Sequence, residues 1–572
     1  MELDFKKAYI SGVERVAAWS DVLDDINVFP IADGDTGRNL IASLTPLRYL
    51  NENREDTIHK LMLSARGNSG NIAAQFFAEF LTADSYEYLP EAAKAGRDQA
   101  WKAINNPIPG TMLTVFDVLV VFLEKNNFEY SDEYVLKVIG QLEEAVKSTP
   151  ELLPKLKEAG VIDSGALGMY IFLEGFFKGL IGHAHKFRSI YEIFNGMLDI
   201  SPSFQIDIED GYCVDTLIQL DDSNEEKAGR LLRYGESVVA IPHKEYLKVH
   251  LHTGNTEESR RQLESLGNVV QWSDDNMGAQ TKDFKRPHTR GAIHIMTDAA
   301  GSVTREDSRK LGITLLDSYI IAGDKSLPET LFSPSDLYKD MRNGVKVSTS
   351  QASVFERHQY YQRVVEKFPR VLYLCVGSVF TGNYAVASEW KQKNDPDDRL
   401  TVIDTSAASG RLGTIVLAAA RYSANTGSPD AVIDFAKRAV YKCEEYVFLD
   451  KLKYLAAGGR LAKSSALFGD ILHVKPIITP IAEGAKKIGT TKNRDGQLKF
   501  ALQRLKTSIE KHSSPFIMLE YSDNRGWVKD VVKNEIESLY PSADILLQPL
   551  SLTSGVHMGP GTWGLAFLPE IV

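Results

Sequence analysis

The chain has 572 residues, 43% of them hydrophobic and 25% charged, with a formal net charge of −11 at pH 7. That length is too great for one core and predicts about three or four domains, and the composition excludes a disordered chain. The acidic balance, with no basic patch, argues against a nucleic-acid partner, and no run approaches the roughly 20 apolar residues of a membrane span. The N-terminal stretch lacks an apolar core with a cleavage site, and Cys213, Cys375 and Cys443 stand far apart. The expected setting is therefore a reducing cytoplasm.

The first informative stretch is Asn27-Val28-Phe29-Pro30-Ile31-Ala32-Asp33-Gly34-Asp35-Thr36-Gly37-Arg38-Asn39. Gly34 lets the backbone turn so that Asp33 and Asp35 converge, and paired carboxylates are hard oxygen ligands suited to nucleotide-bound Mg²⁺. A plain Asp-Gly turn accounts for the same residues. A helical run over 58–63 leads into Ser64-Ala65-Arg66-Gly67-Asn68-Ser69-Gly70-Asn71, a small-residue loop whose amides can cradle phosphate at the start of a helix over 72–81. Gly110-Thr111-Met112-Leu113-Thr114-Val115 and Val161-Ile162-Asp163-Ser164-Gly165 follow. Helices are predicted from Val135, Val138, Ile139, Leu142 and Val146 after Ser131 and Asp132, and over 166–180, their apolar stripes being core. No strand is predicted in this region.

In this order these stretches resemble the DhaL-type nucleotide-binding domain of dihydroxyacetone kinases. They are most similar to its version at the front of bacterial fatty acid kinase, with the pattern NVFPxxDGDTG, ARGNSG, GT-x-LTV and AGVVDSG. The resemblance covers about residues 1–190 and implies an all-helical domain using ATP and Mg²⁺. It implies that Asp33 and Asp35 are catalytic and hold Mg²⁺, with Asn27 as a further ligand. Asn39, Asn68, Ser69, Gly70, Thr111, Met112 and Asp163 would surround the nucleotide.

Residues 191–285 change character. The segments 212–220 and 246–253 alternate like strands, and 257–266 reads as a helix. His250 and His252, two apart on a strand, share one face, and Cys213 lies on the other strand. These make a partial zinc set without an obvious fourth protein ligand; a polar sheet face beside a buried cysteine accounts for them equally. Lys248-Val249-His250-Leu251-His252-Thr253 and Asn276-Met277-Gly278-Ala279-Gln280 resemble the KVHxHT and NMxxQ patterns of the fatty acid kinase middle domain. That resemblance implies a small α/β domain with Zn²⁺ on Cys213, His250 and His252, and a homodimer.

A polar stretch over 281–291 has linker composition. Beyond it, apolar runs at 292–296, 371–376, 400–403, 446–449, 516–519 and 545–547 are mostly separated by helical patterns, such as 353–368 and 429–443. This alternation predicts parallel strands with crossover helices and ligands at the strand ends. The loops there carry Thr297-Asp298, Thr349-Ser350-Gln351-Ala352-Ser353, Gly377-Ser378-Val379-Phe380-Thr381-Gly382-Asn383 and Asp404-Thr405-Ser406. Hydroxyls and helix amides together suit a carboxylate, while ordinary helix caps explain each loop singly. Leu455-Ala456-Ala457-Gly458-Gly459-Arg460-Leu461 and Val556-His557-Met558-Gly559-Pro560-Gly561 add a cation and a histidine.

Together these loops resemble the DegV family of fatty-acid-binding proteins over about residues 291–572, with the pattern TDS, TSQP, SSGLSGTY, VIDS, YLKKGGR and HxGPG. The resemblance implies an α/β fold in which a lipid carboxylate meets Thr349, Ser350, Ser378, Thr381, Arg460 and His557, and the acyl chain fills a tunnel. Ala352 stands where the pattern has proline. Gly377, Val379, Thr381 and Asn383 also depart from it, which leaves chain-length preference open.

The expectation is a multidomain fusion: kinase domain 1–190, middle domain 191–285, and lipid domain 291–572. It would transfer the ATP γ-phosphate to a fatty acid carboxylate, with transient contact at a membrane surface. The GGQTMNPS pattern of the kinase's own C-terminal domain is absent from the sequence. Two other readings compete, a nucleotide-regulated lipid binder without turnover and a kinase for a small ketone such as dihydroxyacetone.

Overall fold

Asp4 caps the first helix by accepting the Lys7 amide, and helix α1 (Phe5–Asp25) runs from there. The computed structural model describes residues 4–570 apart from 51–52, 105, 184–186, 208–209, 221–237, 286–288, 290, 458–473, 482 and 511. Two compact units result, Met1–Arg286 and Pro287–Val572.

In the first unit, α2 (Thr36–Leu44), α3 (Gly67–Phe80), α4 (Met112–Lys125) and α5 (Asp132–Lys147) surround α6 (Ser164–Leu180) together with α1. Every residue of α6 is buried; its two charged residues, Glu174 and Lys178, pair with each other at 3.0 Å, and Glu174 also pairs with Arg15 of α1. Its approach to α1 depends on glycine: a Cβ at Gly175 would lie 2.8 Å from the Ser11 carbonyl oxygen. Phe76, Phe77, Phe80, Phe116, Phe172 and Phe176 are fully buried, and such a ring contributes about 1.5–3 kcal/mol when buried. The helical front of the chain is as the sequence suggests.

The same unit carries an antiparallel sheet of β1 (Tyr212–Leu220), β2 (Val239–His243), β3 (Tyr246–Thr253) and β4 (Gly267–Asn276), in the order β2-β3-β1-β4. Helix α7 (Thr256–Glu264) connects β3 to β4, and α8 (Met277–Phe284) follows, with Asn276 capping it through the Ala279 amide. The start of the polar stretch read as linker is therefore helical as far as Phe284.

Among the described residues the second unit holds three sheets. Strands β5 (His294–Asp298), β6 (Ile313–Leu316), β10 (Val371–Cys375) and β11 (Leu400–Asp404) form a parallel sheet in the order β11-β10-β5-β6. Between β6 and β10, β7 (Tyr319–Ala322), β8 (Lys325–Pro328) and β9 (Val347–Ser350) form a small antiparallel sheet. The third sheet, from β12 (Glu444–Phe448), β13 (Lys475–Ile481), β14 (Gly484–Thr491), β15 (Phe516–Tyr521), β16 (Asp544–Pro549) and β17 (Trp563–Leu568), has the order β14-β13-β12-β17-β15-β16. Only its β15–β16 pair is parallel. The expectation of parallel strands thus holds for half of this unit. It fails in the other half because β17, fully buried, inserts between β12 and β15 and runs against both.

Helices α9 (Val354–Lys367) and α10 (Asn383–Asn394) flank the parallel sheet, and α11 (Ser409–Asn425) packs on strands of both larger sheets. A short helix α12 (Leu552–Met558) precedes β17.

Candidate functional site

The acidic turn is built by groups that hold it from behind. Asn27 Nδ2 donates to the Ile31 carbonyl at 2.9 Å, and Asn27 Oδ1 accepts both the Thr36 amide, at 3.0 Å, and the Thr36 hydroxyl. Both polar atoms of Asn27 are occupied in bracing the turn, while the residue also lines the space beside Asp33 and Asp35. Asp24 accepts the Gly37 and Arg38 amides at the start of α2, at 2.7 and 3.2 Å, and the Arg38 Nε at 3.1 Å. Asp35 stands at the N-cap of α2 yet makes no side-chain cap bond, because Asp24 has taken that task. Gly34 has a φ of +62°, and a Cβ there would lie 2.6 Å from Phe284 Cδ2.

Asp33 and Asp35 line one small space with Asn39, Asn68 and Ser69. Burial, then the charge of Asp35, pushes the Asp33 carboxyl well above its usual range, with Arg38 opposing. Such a pair calls for a cation, and two hard oxygens suit Mg²⁺. Gly67 (φ +60°) opens α3 against α2: a Cβ at Gly67 would fall 2.2 Å from Asn39 Nδ2, and one at Gly70 would fall 2.0 Å from Ser43 Oγ. Thr36 ties the turn to its neighbours, with Ser69 Oγ at 3.4 Å and Ser164 Oγ at 3.1 Å.

The remaining predicted nucleotide residues do not line this space. Thr111 caps α4 at the Leu113 amide, and Met112 is buried where a Cβ on Gly165 would meet its Cε at 2.8 Å. Asp163 caps α6 by accepting the Ala166 amide at 2.7 Å, and burial pushes its carboxyl up to about 7.

Cys213, His250 and His252 line the same space as Asp33 and Asp35, a convergence that the spacing of these residues in sequence does not foretell. Antiparallel pairing of β1 with β3 sets Cys213 opposite His252 and Asp215 opposite His250. The candidate ligand atoms of the three residues all lie within 4.8 Å of one another. A tetrahedral Zn²⁺, with bonds of about 2.0–2.3 Å, separates its ligand atoms by about 3.3–3.8 Å. His250 Nε2 is buried without a hydrogen-bond partner among the described residues, and burial, then the charge of His250, lowers His252 to about 4. A neutral imidazole at His252 and an orphaned ring nitrogen on His250 suit a metal. Burial, then Asp215, raises the Cys213 thiol, and metal binding offsets that cost by stabilising the thiolate. The residues fit zinc.

In the second unit a cavity of about 200 Å³ has an apolar wall that includes Val376, Phe380, Val447, Leu455, Ile478 and Met558. Thr349 and Ser350 at the end of β9, Gln351, Thr381 before α10, and Ser554 and His557 on α12 supply polar lining. Thr349 Oγ1 and His557 Nε2 are 3.2 Å apart. Ser378 is exposed and does not line the cavity; its amide donates to Asp404 Oδ1 at 3.1 Å. Arg460 lies outside the described residues. Asp298 serves as scaffold, accepting from the Tyr373 hydroxyl, the Val376 amide and Asn383 Nδ2 at 2.7–3.0 Å beside Arg357.

Ser409 and Glu445 also line the cavity and were not predicted. Ser409 Oγ donates to Glu445 Oε1 at 2.6 Å, and Ser302 Oγ donates to Glu520 Oε1 at 2.5 Å. Burial raises Glu445 to about 7 and Glu520 well above its usual range. Both acids lie at the start of α11, where Ser409 bonds Glu445 and a Cβ on Gly410 would fall 2.6 Å from Glu520 Oε2.

Comparison with known proteins gives three matches along the chain. Residues 30–178 match the DAK2 domain, residues 209–284 the FakA-like middle domain of fatty acid kinase, and residues 292–570 an uncharacterised protein of the DegV family. An uncharacterized protein of Staphylococcus saprophyticus is 31% identical over 327 residues, 52% of this chain and 59% of the relative. One of Staphylococcus aureus is 30% identical over 363 residues, 56% of this chain and 65% of the relative. The chain thus spans less than two thirds of the length of these relatives. Among solved structures, a DegV family protein from Thermus thermophilus, described for its fatty acid binding, has a TM-score of 0.45 at 23% identity, covering 48% of this chain and 99% of its own. DegV from Bacillus subtilis, described as a fatty acid binding protein, has 0.44 at 19%, covering 49% and 99%.

The chain is a multidomain protein with a helical DAK2-matching front and mixed sheets in its middle and C-terminal regions. It is a fusion, in one polypeptide, of a DAK2 domain, a fatty acid kinase-like middle domain and a DegV domain.

Proposed function

We propose that this chain is an ATP-dependent kinase that phosphorylates the carboxylate of a fatty acid held in its DegV-type domain. The observation that supports the reading is that one polypeptide carries two spaces suited to the two halves of such a reaction. One is the space lined by Asp33, Asp35, Asn39, Asn68 and Ser69, and the other is an apolar cavity with hydroxyls and His557 in its lining.

Asp33 and Asp35 would hold Mg²⁺, which when bound neutralises phosphate charge. Catalysis of phosphoryl transfer is mostly positioning and charge neutralisation. The Asn68 and Ser69 amides at the start of α3 would cradle phosphate, as helix N-termini do. Thr349, Thr381 and His557 would hold the lipid carboxylate and aim one oxygen. That oxygen attacks the γ-phosphorus, the bond to the β,γ-bridging oxygen breaks, and acyl phosphate and ADP result. A carboxylate is already ionised near pH 7, so no general base is needed. The zinc-fitting set would brace the middle domain against the acidic turn.

Lipid extracted from the purified chain should be a fatty acid, and ADP release should depend on adding one. Thr381→Ala with His557→Ala should lower lipid retention and fatty-acid-dependent ADP release together. ADP release indifferent to fatty acid would count against the reading.

A further inference from the structure

Asp215 belongs to neither of the ligand sets described above, yet it touches both. It shares a face of β1 with Cys213, two residues away. Its Oδ1 lies 3.3 Å from His250 Nδ1. Its Oδ2 accepts the Gly67 amide at 3.0 Å, and Asn71 Nδ2 reaches Oδ1 at 3.4 Å while also donating to the Gly67 carbonyl at 2.7 Å. Gly67 is the residue at φ +60° that opens the small-residue loop beside Asp33 and Asp35. Asn71 is fully buried, so this junction is packed.

The chemistry follows from which nitrogen of His250 is engaged. A carboxylate that accepts the Nδ1 proton fixes the tautomer and leaves Nε2 as the free lone pair, the usual support for a metal-ligating histidine. Nε2 is the atom found buried and unpartnered among the described residues. The other oxygen of the same carboxylate holds the first amide of the phosphate loop. A change in His250, such as a metal pulling on it, would be passed to Gly67 through one rigid group.

We propose that Asp215 is a positioning residue that couples the Cys213–His250–His252 metal set to the nucleotide loop. The inference rests on the zinc and nucleotide readings above. Since linkage is reciprocal, zinc should tighten nucleotide binding and nucleotide should tighten zinc by the same factor.

The test measures binding in the full chain, without turnover. Zinc affinity is read by chelator competition, and MgATP affinity by calorimetry on zinc-loaded and zinc-stripped protein. In the wild type, stripping zinc should weaken MgATP by on the order of tenfold. Asp215→Asn should weaken zinc by about 10- to 100-fold and make MgATP affinity indifferent to zinc. In cobalt-loaded Asp215→Asn the thiolate band from Cys213 should persist while the ligand-field bands shift, which loosened folding alone does not produce. Should Asp215→Asn not fold, Asp215→Glu keeps the charge but displaces it, and should show the same losses in part.

A folded variant with wild-type zinc affinity and unchanged cobalt bands would overturn the proposal. So would a wild type whose MgATP affinity ignores zinc. A wild type that takes up no zinc would overturn the proposal together with the zinc reading. One that binds zinc but no MgATP would overturn it together with the kinase reading.

Discussion

At the scale of single residues, the proposed chemistry rests on carboxylates that the fold treats differently. Asp24 and Asp163 cap helices, whereas Asp33 and Asp35 are left to crowd each other. Asp35→Ala should therefore reduce phosphoryl transfer by at least about 10²-fold, the scale of losing one electrostatic stabiliser. Lipid binding should stay unchanged, since the cavity belongs to the other unit; parallel ADP and lipid-retention assays on folded protein check this. Glu445 gives a prediction about pH. Folded, its carboxyl holds a proton up to about 7, against an ordinary value of 4.5. Between those values the folded state binds more protons than the unfolded one, so stability falls as pH rises through the window. Glu445→Gln should flatten that fall in chemical denaturation, by on the order of 1–3 kcal/mol across the window. Asp33-Gly34-Asp35 was legible because its residues are consecutive. The roles of Asp24 and Thr36 were not, because their partners lie on other segments and nothing in local spacing marks them.

At the scale of elements, glycine decides how closely loops approach. Gly67→Ala would place a Cβ on Asn39 and force a left-handed backbone that costs about 1–2 kcal/mol for an L-residue. Weakened MgATP binding with the zinc content intact is the expected result, read by calorimetry and metal analysis on the same sample. The sheet of β1, β3 and β4 gives a second expectation. Purified protein should carry about one zinc per chain on its three-residue set, and His252→Ala should lose it and lower the thermal midpoint of the first unit. The alternating patterns of β1 and β3 could be read from sequence, as could Cys213, His250 and His252 as a set. Their meeting with the acidic turn could not, because it depends on how the sheet docks, which no periodicity records. The third sheet was misread for a related reason. Apolar runs identify strands, but partner direction is set by β17, a strand whose run at the end of the chain carried no topological signal.

At the scale of the whole molecule, tethering the two units in one chain raises their effective concentration toward each other, to the millimolar range for short linkers. The sequence between Gln280 and Gly291 extends over at most roughly 35 Å, and α8 takes up part of it. We expect transfer between two chains of a dimer. Mixing an Asp35→Ala chain with one carrying Thr381→Ala and His557→Ala, each nearly inactive alone, should restore a substantial fraction of activity. Mixed dimers that form yet stay inactive would favour transfer within one chain. Domain order was legible here because each motif series is local to its domain; relative placement was not. The central claim is the acceptor, and trapping it is the direct test. Purified chain, MgATP and a long-chain fatty acid are incubated with hydroxylamine, which converts an acyl phosphate to a hydroxamate. Fatty hydroxamate and ADP should form in equal amounts, both lost in Asp35→Ala. ADP formed without hydroxamate, or lipid bound with neither product, would contradict a fatty acid carboxylate as the acceptor.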